Sequence, residues 1–348
     1  MIGIRELADH LNISIGTVSR ALNNKPDVSA KTRELVLGAA ADLGYVPNQA
    51  GRLLRQGTSN VIGFILATDS EGMMQGDLFF VRVFDGMQSV LSKHGLDLVA
   101  LLAPSSEDPM AYLQRTIARQ FYDALVLSGI KRQDPRITLL SKNSVPFVTL
   151  GRSLTDAGQP WLDLDFEGMV RQSIQRLARK GHRRIALALP NDDLNLGHIM
   201  LETYRDSLRK NNLTFCPDLA MPTLSGDTAG RDLAMRLVQR DDPATAVIFS
   251  DHILPFGLYH GLADLGLTPG KDLAIIGIGT RLSSLLRPSL THYRFNLFEL
   301  GQRIAEALLE TMPRFQAGTV AKLIRETVAF TLVEGDSDAQ DITPKSST

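Results

Sequence analysis

The sequence predicts an α/β protein that carries a small, separate helical head, and three observations support this. Within residues 1–45, apolar residues recur at helical spacing in three short runs. From residue 60 onward, apolar runs of strand length alternate with amphipathic runs of roughly 10–15 residues, the pattern of parallel sheets with right-handed crossovers. The alternation restarts after the polar stretch at 153–161, so the body reads as two doubly wound parallel-sheet subdomains. At 348 residues, with 44% hydrophobic and 22% charged, the chain exceeds one ordinary core and is too apolar to be disordered.

In the head, Ile4, Leu7, Ala8 and Leu11 share one face of a first helix. Ser14 stands three residues before Thr17 as a candidate N-cap, and Ile15, Val18, Ala21 and Leu22 form the apolar face of a second helix. The intervening turn of about three or four residues makes the two helices cross steeply, the geometry that lets a second helix enter a DNA major groove. Ser29 precedes a third helix whose Thr32, Val36, Ala39, Ala40 and Leu43 can cover the other two, and Gly44 ends it. On the outer side of helix two, Thr17, Ser19 and Asn23 can hydrogen-bond to phosphates or base edges, and Arg20 adds charge. Lys31 and Arg33 offer further phosphate contacts. A helical protein-interaction module is the plainer alternative for this segment.

The whole chain has a formal charge of -1, which by itself argues against nucleic-acid binding. Residues 1–59 differ: seven Lys/Arg (Arg5, Arg20, Lys25, Lys31, Arg33, Arg52, Arg55) face five Asp/Glu (Glu6, Asp9, Asp27, Glu34, Asp42), a surplus of two. After Tyr45, Pro47 breaks the third helix, Asn48 can cap a new turn, and 49–54 could form a helix too short to be stable alone. Two copies meeting in a minor groove could stabilise it, with Leu54 wedged between base pairs and Arg52 and Arg55 beside phosphates. A basic linker, favoured by Gly51, is the alternative.

In the body, NVIGFILA (60–67), LDLVALLAP (96–104), YDALVLSG (122–129), VPFVTLG (145–151), HRRIALAL (182–189), TAVIFS (245–250) and DLAIIGIG (272–279) read as strands. Helices are expected at 83–95, 109–121, 167–181, 200–211, 227–240 and 255–266. Ligands of such sheets sit at the carboxyl ends of the strands. The loops there nominate Asp69, Ser128, Arg152, Asn191, Asp192, Asp251 and Arg281, with His198 and Glu202 close by. Phe79 and Phe80 could stack on a sugar ring. Each polar nominee has a plainer reading as a solvated loop residue or helix cap.

Neither a phosphate-binding G-x-x-x-x-G-K-[ST] nor a strand-to-helix G-x-G-x-x-G occurs, and G-x-S-x-G and H-E-x-x-H are also missing. Asp163, Asp165 and Glu167 alternate at a strand end and helix start, where acidic caps are ordinary, and His182 enters a strand from a basic turn. The chain is therefore expected not to be an enzyme and to need no metal or cofactor. The single Cys216 excludes an intrachain disulfide and reads as a small buried filler. With no leader-like segment and no bilayer-length apolar run, a cytoplasmic protein without a membrane partner is expected.

The string ELADHLNISIGTVSRALNNKPDVSAKTRELVLGAAADLGYVPNQAGRLLRQG (6–57) resembles the signature of the lactose-repressor (LacI) family. The resemblance continues through VIGFILA, Leu78–Phe80, RKGHRRIAL (179–187) and PSLTHYRFNLFELGQRIAEALLE (288–310), and so spans nearly the whole chain. It implies a homodimer whose heads read two half-sites of double-stranded operator DNA and whose bodies, of periplasmic-binding-protein type, bind a small effector, usually a carbohydrate. The layout is then a head at 1–45, a hinge at 46–59, and subdomains at 60–157 with 292–318 and at 158–291 with 319–335; the tail at 336–348, where the resemblance ends, is expected to be disordered. Ile15 and Gly16 match the start of the recognition helix, Thr17, Ser19 and Arg20 match residues that support the DNA contact, and Leu54 matches the hinge leucine.

Several positions depart from the family pattern. Gly76-Asp77 stand near where an asparagine-proline pair is usual, Met200 where many sugar-binding members carry arginine, Ser250 before Asp251 in place of asparagine, and Gly279 in place of a strand-end aspartate. The effector is then a sugar or glycoside met by a different polar set, or a less polar metabolite. The dimer surface is expected on exposed elements such as 80–95 and 283–290, and the tail lacks the heptads a tetramer would need. Repression released by an inducer is the expected mode. A periplasmic-type sugar-binding protein, or a structural DNA-binding protein indifferent to ligand, are the rival readings.

Overall fold

The computed structural model describes residues 2–22, 24–45, 58–67, 78–191, 193–316 and 322–339. The chain divides into two compact units, 1–59 and 60–348.

The first unit holds α1 (Ile4–Leu11), α2 (Ile15–Leu22) and α3 (Ala30–Asp42). Their apolar stripes converge on a small core of Leu7, Ala8, Val18, Ala21, Val28, Val36, Ala39 and Ala40. Each start has its own cap. The Gly3 amide donates to Glu6 Oε2 at 2.9 Å, the Thr17 amide to Ser14 Oγ at 3.0 Å, and the Thr32 amide to Ser29 Oγ at 3.2 Å. Gly44, at φ +63°, reverses the chain after α3 in a conformation open to glycine.

The second unit is built on two six-stranded sheets. The first contains β1 (Val61–Ala67), β2 (Asp97–Ala103), β3 (Ala124–Leu127), β4 (Phe147–Leu150), β5 (Trp161–Leu164) and β11 (Arg325–Val328). Their order is β11-β5-β4-β3-β1-β2, and every pairing is parallel. The second contains β6 (Ile185–Pro190), β7 (Ala220–Thr223), β8 (Ala246–Phe249), β9 (Ala274–Ile278), β10 (Thr291–Phe295) and β12 (Phe330–Val333). Its order is β12-β10-β9-β8-β6-β7, parallel except for the antiparallel β10/β12 pair. Central strands such as β3 (ALVL) and β8 (AVIF) are buried at every position because helices cover both faces.

The helices of this unit are α4 (Leu78–Leu91), α5 (Pro109–Arg119), α6 (Pro135–Lys142), α7 (Phe166–Arg179), α8 (Asn195–Lys210), α9 (Asp227–Val238), α10 (Leu254–Asp264) and α11 (Leu297–Leu309). Helix α11 packs on α4, and two glycines allow the approach. A Cβ at Gly86 would lie 2.0 Å from the Phe298 carbonyl oxygen, and one at Gly301 2.0 Å from that of Val83. The same close contact joins α9 and α10, where a Cβ on Gly257 would meet the Asp227 carbonyl oxygen at 1.8 Å.

The described chain passes between the sheets near Asp165, Asn296 and Ala329. The subdomain boundaries therefore differ from those expected. β5, assigned by sequence to the second subdomain, belongs to the first sheet, and so does β11; β10 belongs to the second sheet and not the first. Strand β10 (THYRF) mixes polar and apolar residues, and so do three sheet edges: β7 carries Pro222 and Thr223, β11 (RETV) three consecutive polar residues and β12 (FTLV) Thr331, as edge strands tolerate.

The start of the expected disordered tail is instead ordered. Ser337 and Asp338 are fully buried. The Ser337 hydroxyl donates to the Ile275 carbonyl at 2.6 Å and accepts from the Thr291 amide at 2.8 Å. Asp338 accepts from Thr291 Oγ1 and Arg176 Nε, each at 2.5 Å, and lies 3.2 Å from Lys180 Nζ. Charge drives this docking, which an apolar scan does not register. Residues 340–348 lie outside the described residues.

Candidate DNA-binding face and effector cleft

In the head, the short turn at Asn12–Ser14 sets α2 across α1 and leaves one side of α2 uncovered. Asn12 adopts φ +52° there. Ile15 is 41% exposed at the first position of α2, and Gly16 and Arg20 are exposed beside it. Thr17 and Ser19 are partly covered on the same helix. The Thr17 hydroxyl sits 2.8 Å from Ser14 Oγ, so this nominee also serves the cap. Arg20 Nε lies 3.3 Å from Asp27 Oδ2, a solvent-exposed pair weak enough to be exchanged for a phosphate. Lys31 is exposed near the start of α3.

Arg33 is placed differently from the expectation. Its Nη2 donates to the carbonyls of Lys25 (2.8 Å) and Val28 (3.3 Å), and its Nε is buried without a partner. Arg33 closes the turn between α2 and α3, because carbonyls left over at a helix end attract the nearest guanidinium. Its expected phosphate contact gives way to a scaffolding one. Asn23 and the hinge nominees Asn48, Arg52, Leu54 and Arg55 lie outside the described residues.

In the body, the loops after β3 and β4 of the first sheet meet the start of α8, after β6 of the second sheet, in a joint at the carboxyl ends of the strands. The Asn195 amide, at the start of α8, donates to the Ile130 carbonyl beyond β3 at 2.9 Å, and Asn195 Nδ2 donates to the Arg152 carbonyl beyond β4 at 2.7 Å. Two ion pairs flank this joint, Lys131 with Asp193 at 3.4 Å and Arg132 with Glu202 at 2.8 Å. The loop after β3 is held from within by fully buried Asp134. Its carboxylate accepts from the Lys131 amide (3.1 Å), the Arg136 amide (3.0 Å) and the Arg136 guanidinium (2.6 Å). Sequence reasoning missed Lys131, Arg132, Asp134 and Asn195. The signal available was the Asp134-Pro135 pair, an N-cap followed by proline at N1.

Arg152, whose carbonyl takes part in the joint, has an engaged side chain. Its Nε donates to Asp163 at 2.8 Å and its Nη2 to Glu167 at 2.7 Å, with the Trp161 ring centroid 5.5 Å from its Cζ. Burial disfavours its charge, yet its hydrogen bonds to Glu167 and Asp163 raise its pKa above the ordinary arginine value. Burial pushes the Asp163 carboxyl up against the pull of Arg152. For Glu167, burial acts upward but the hydrogen bond from Arg152 holds the carboxyl below its usual range. Asp163 and Glu167 therefore bind a charge in addition to ending β5 and opening α7.

The other nominees divide into engaged and open groups. Buried Ser128 donates its hydroxyl to the Ile65 carbonyl at 2.8 Å. Asp251 accepts from the amides of Ile253 and Leu254, each at 2.7 Å, and pairs with the Ser225 hydroxyl, so it caps α10. Glu202 holds Arg132. Asn191, His198 and Arg281 are exposed. Phe79 and Phe80 open α4 with ring centroids 5.1 Å apart, and Phe80 stands 5.8 Å from Phe64 of β1. Asp69 and Asp192 lie outside the described residues.

Two departures from the family pattern have steric explanations. Met200 is fully buried in the core that also holds Tyr204 and Leu208, so this position faces inward. At Gly279 a Cβ would lie 2.2 Å from the His292 ring, which occupies the space a strand-end aspartate would need. His182, expected to be structural, is buried with Nδ1 3.0 Å from Thr245 Oγ1. Cys216 is only partly buried, 3.7 Å from Arg184 Nη1. On the outer body, Val81 of α4, Val99 and Leu102 of β2, and Leu282 and Leu285 at 281–285 are exposed apolar residues. Residues 281–285 form a 3-10 turn. Among the described residues no helix is long and apolar enough to cross a membrane.

Comparison with known proteins agrees with both units. Residues 3–48 match the family described as bacterial regulatory proteins, lacI family, and residues 174–337 match the periplasmic binding protein-like domain. The HTH-type transcriptional regulator AglR of Rhizobium meliloti is 31% identical over 315 residues, covering 88% of this chain and 87% of AglR. The fold is shared with a lac repressor dimer bound to operator and the anti-inducer ONPF, at TM-score 0.82 and 21% identity, covering 97% of this chain and 99% of that one. It is shared also with a transcriptional regulator CelR–cellobiose complex, at TM-score 0.70 and 24% identity, covering 97% and 100%. A helix-turn-helix head with an exposed second helix, followed by paired parallel sheets around a cleft, thus belongs to a chain whose sequence matches in both parts: the protein is a DNA-binding transcriptional regulator of the lacI family.

Proposed function

We propose that the protein acts in the cytoplasm as a homodimeric repressor, and that a carbohydrate bound between its two sheets changes its affinity for operator DNA. The observation that carries this reading is the joint across the cleft, where Asn195 of one subdomain holds the Ile130 and Arg152 carbonyls of the other. A ligand placed among these contacts meets both subdomains, so it can favour one relative arrangement over another. The cellobiose of the CelR complex supports a sugar as the ligand class.

Phe79 and Phe80 supply apolar surface at the mouth of the cleft, and Asn191, His198 and Arg281 supply open polar groups. Ile15, Gly16, Thr17, Ser19, Arg20 and Lys31 form the DNA-reading side of the head. Gly16 has no side chain and Ile15 can only touch a thymine methyl, so base choice at that step depends on DNA shape or on neighbouring contacts. The exposed Val81, Val99 and Leu102 support a partner copy over α4 and β2.

Selection from random duplexes, followed by calorimetry of the purified chain with cellobiose and other α- and β-linked disaccharides, tests the proposal. The expected result is a near-palindromic site bound by two protomers and one disaccharide bound per protomer. Recovery of a single half-site bound by one protomer contradicts the dimer. Binding of no sugar transfers the cleft to another metabolite class.

A further inference from the structure

Helices α4 and α11 pack side by side in the first subdomain. Helix α4 opens with Phe79 and Phe80, and α11 opens at Asn296, where the chain crosses from the second sheet to the first. Asn296 caps α11, its Oδ1 accepting from the Glu299 amide at 3.2 Å. Gly86 and Gly301 bring the two backbones into direct contact, so the helices pack closely on one another. At about 1.5 Å per residue, the helix reaches roughly 20 Å from that crossing.

The far end of α11 continues through a 3-10 turn, Pro313–Phe315, that carries Arg314. Arg314 grips the first residue of the body. Its Nη1 donates to Asn60 Oδ1 at 3.0 Å and its Nη2 to Asp123 Oδ2 at 2.8 Å, while the same Asp123 oxygen accepts the Asn60 amide at 3.0 Å. The Asn60 carbonyl also accepts from the Asp97 amide at 2.9 Å. Asn60 adopts φ +56° and begins the second unit directly after Ser59. The residue at which the chain leaves the body for the head is therefore held on three sides, and one of the holding groups stands at the end of a rigid helix that begins at the subdomain crossing.

We infer that Arg314 is a positioning residue that carries the state of the cleft, through the closely packed α4/α11 pair, to the point where the chain leaves the body at Asn60. The effector half of this inference rests on the sugar-sensor reading; the DNA half does not. When the subdomains change their arrangement, the Asn296 end of α11 moves with the crossing, and the Arg314 end moves Asn60 with it. A displacement there changes how the preceding segment is presented for DNA binding.

The test uses the full chain with Arg314→Met, Arg314→Lys, Asn60→Gly and the double variant Asn60→Gly/Arg314→Met. Asn60→Gly suits the left-handed backbone and removes only the side-chain tie. Affinities for the selected duplex and for an unrelated duplex are measured by anisotropy at fixed salt, and disaccharide affinity by calorimetry. Arg314→Met should lose about tenfold in selected-duplex affinity and little on the unrelated duplex, with disaccharide affinity unchanged and any sugar-induced shift in DNA affinity reduced. Arg314→Lys should recover part of the loss, and the double variant should be no worse than Arg314→Met. Unaltered selected-duplex affinity in Arg314→Met, an equal loss on both duplexes, or additive losses in the double variant would overturn the inference. If no disaccharide binds the unaltered chain, the sugar reading falls, and the two duplex titrations alone still decide the role of Arg314.

Discussion

Removing the Asp338 carboxylate should destabilise the second subdomain by about 3 kcal/mol. The side chain is fully buried and meets Arg176 Nε at 2.5 Å, Thr291 Oγ1 at 2.5 Å and Lys180 Nζ at 3.2 Å. Deleting one member of a buried ion cluster costs about 3–5 kcal/mol, because the remaining charges lose their partner while staying partly desolvated. The Arg176 and Lys180 side chains are 24% and 22% exposed, so water recovers part of that cost and the lower end applies. Burial acts to raise the carboxyl's pKa, but the hydrogen bonds from Arg176 and Thr291 outweigh it and hold the pKa below the usual aspartate value. Its contribution is thus complete above the unfolded-state aspartate pKa of about 3.9 and is lost as pH falls through the lower folded value. Urea unfolding of Asp338→Asn and of chains ending after Ala339 or after Gly335 measures this at neutral pH. Measured against the chain ending after Ala339, the one ending after Gly335 should lose at least as much as Asp338→Asn. Equal stability of all three would refute the latch.

Three further perturbations test the packing and the cleft. Gly86→Ala places a methyl 2.0 Å from the Phe298 carbonyl oxygen and should cost about 3 kcal/mol in urea unfolding, the upper end for overpacking; a cost below about 1 would mean the helix pair yields. Gly279→Asp should cost about 1–3 kcal/mol while His292 is present and less in His292→Ala, so equal costs in the two backgrounds would remove the steric explanation. Arg152→Met leaves Asp163 buried beside Glu167 and should cost about 3 kcal/mol, whereas Arg132→Ala, in an exposed pair, should cost less than about 1 and become undetectable in high salt. Thermal unfolding of both variants at two salt concentrations separates these cases.

The head was the most legible part of the sequence, because three amphipathic runs with Ser14 and Ser29 at the caps leave few ways to fold 45 residues. The central strands were legible for the same reason: runs such as ALVL and AVIF are apolar at every position. The strands that decide which sheet a segment joins were not, since β5, β10 and β11 mix polar and apolar residues. Their membership depends on a partner far along the chain, as when β11 at 325–328 pairs with β5 at 161–164. For the effector nominees, strand ends place Ser128, Arg152, Asp251 and Arg281 on loops but do not give the state of each side chain. Arg152 and Asp251 were nominated as ligand groups and prove to be engaged with Asp163, Glu167, Ser225 and the start of α10. A strand-end residue and a helix cap occupy the same place in sequence, and only packing distinguishes them. The docked segment 336–339 escaped notice because it is held by hydrogen bonds and charge and carries no apolar pattern.

The central claim is that occupancy of the cleft controls DNA affinity, and anisotropy titration of the selected duplex with and without saturating disaccharide at fixed salt tests it most directly. The account predicts that at least one disaccharide shifts the affinity tenfold or more, about 1.4 kcal/mol of coupling, with reciprocal weakening of sugar binding by DNA if the sugar is an inducer. A disaccharide that binds the cleft by calorimetry and leaves DNA affinity unchanged would contradict it.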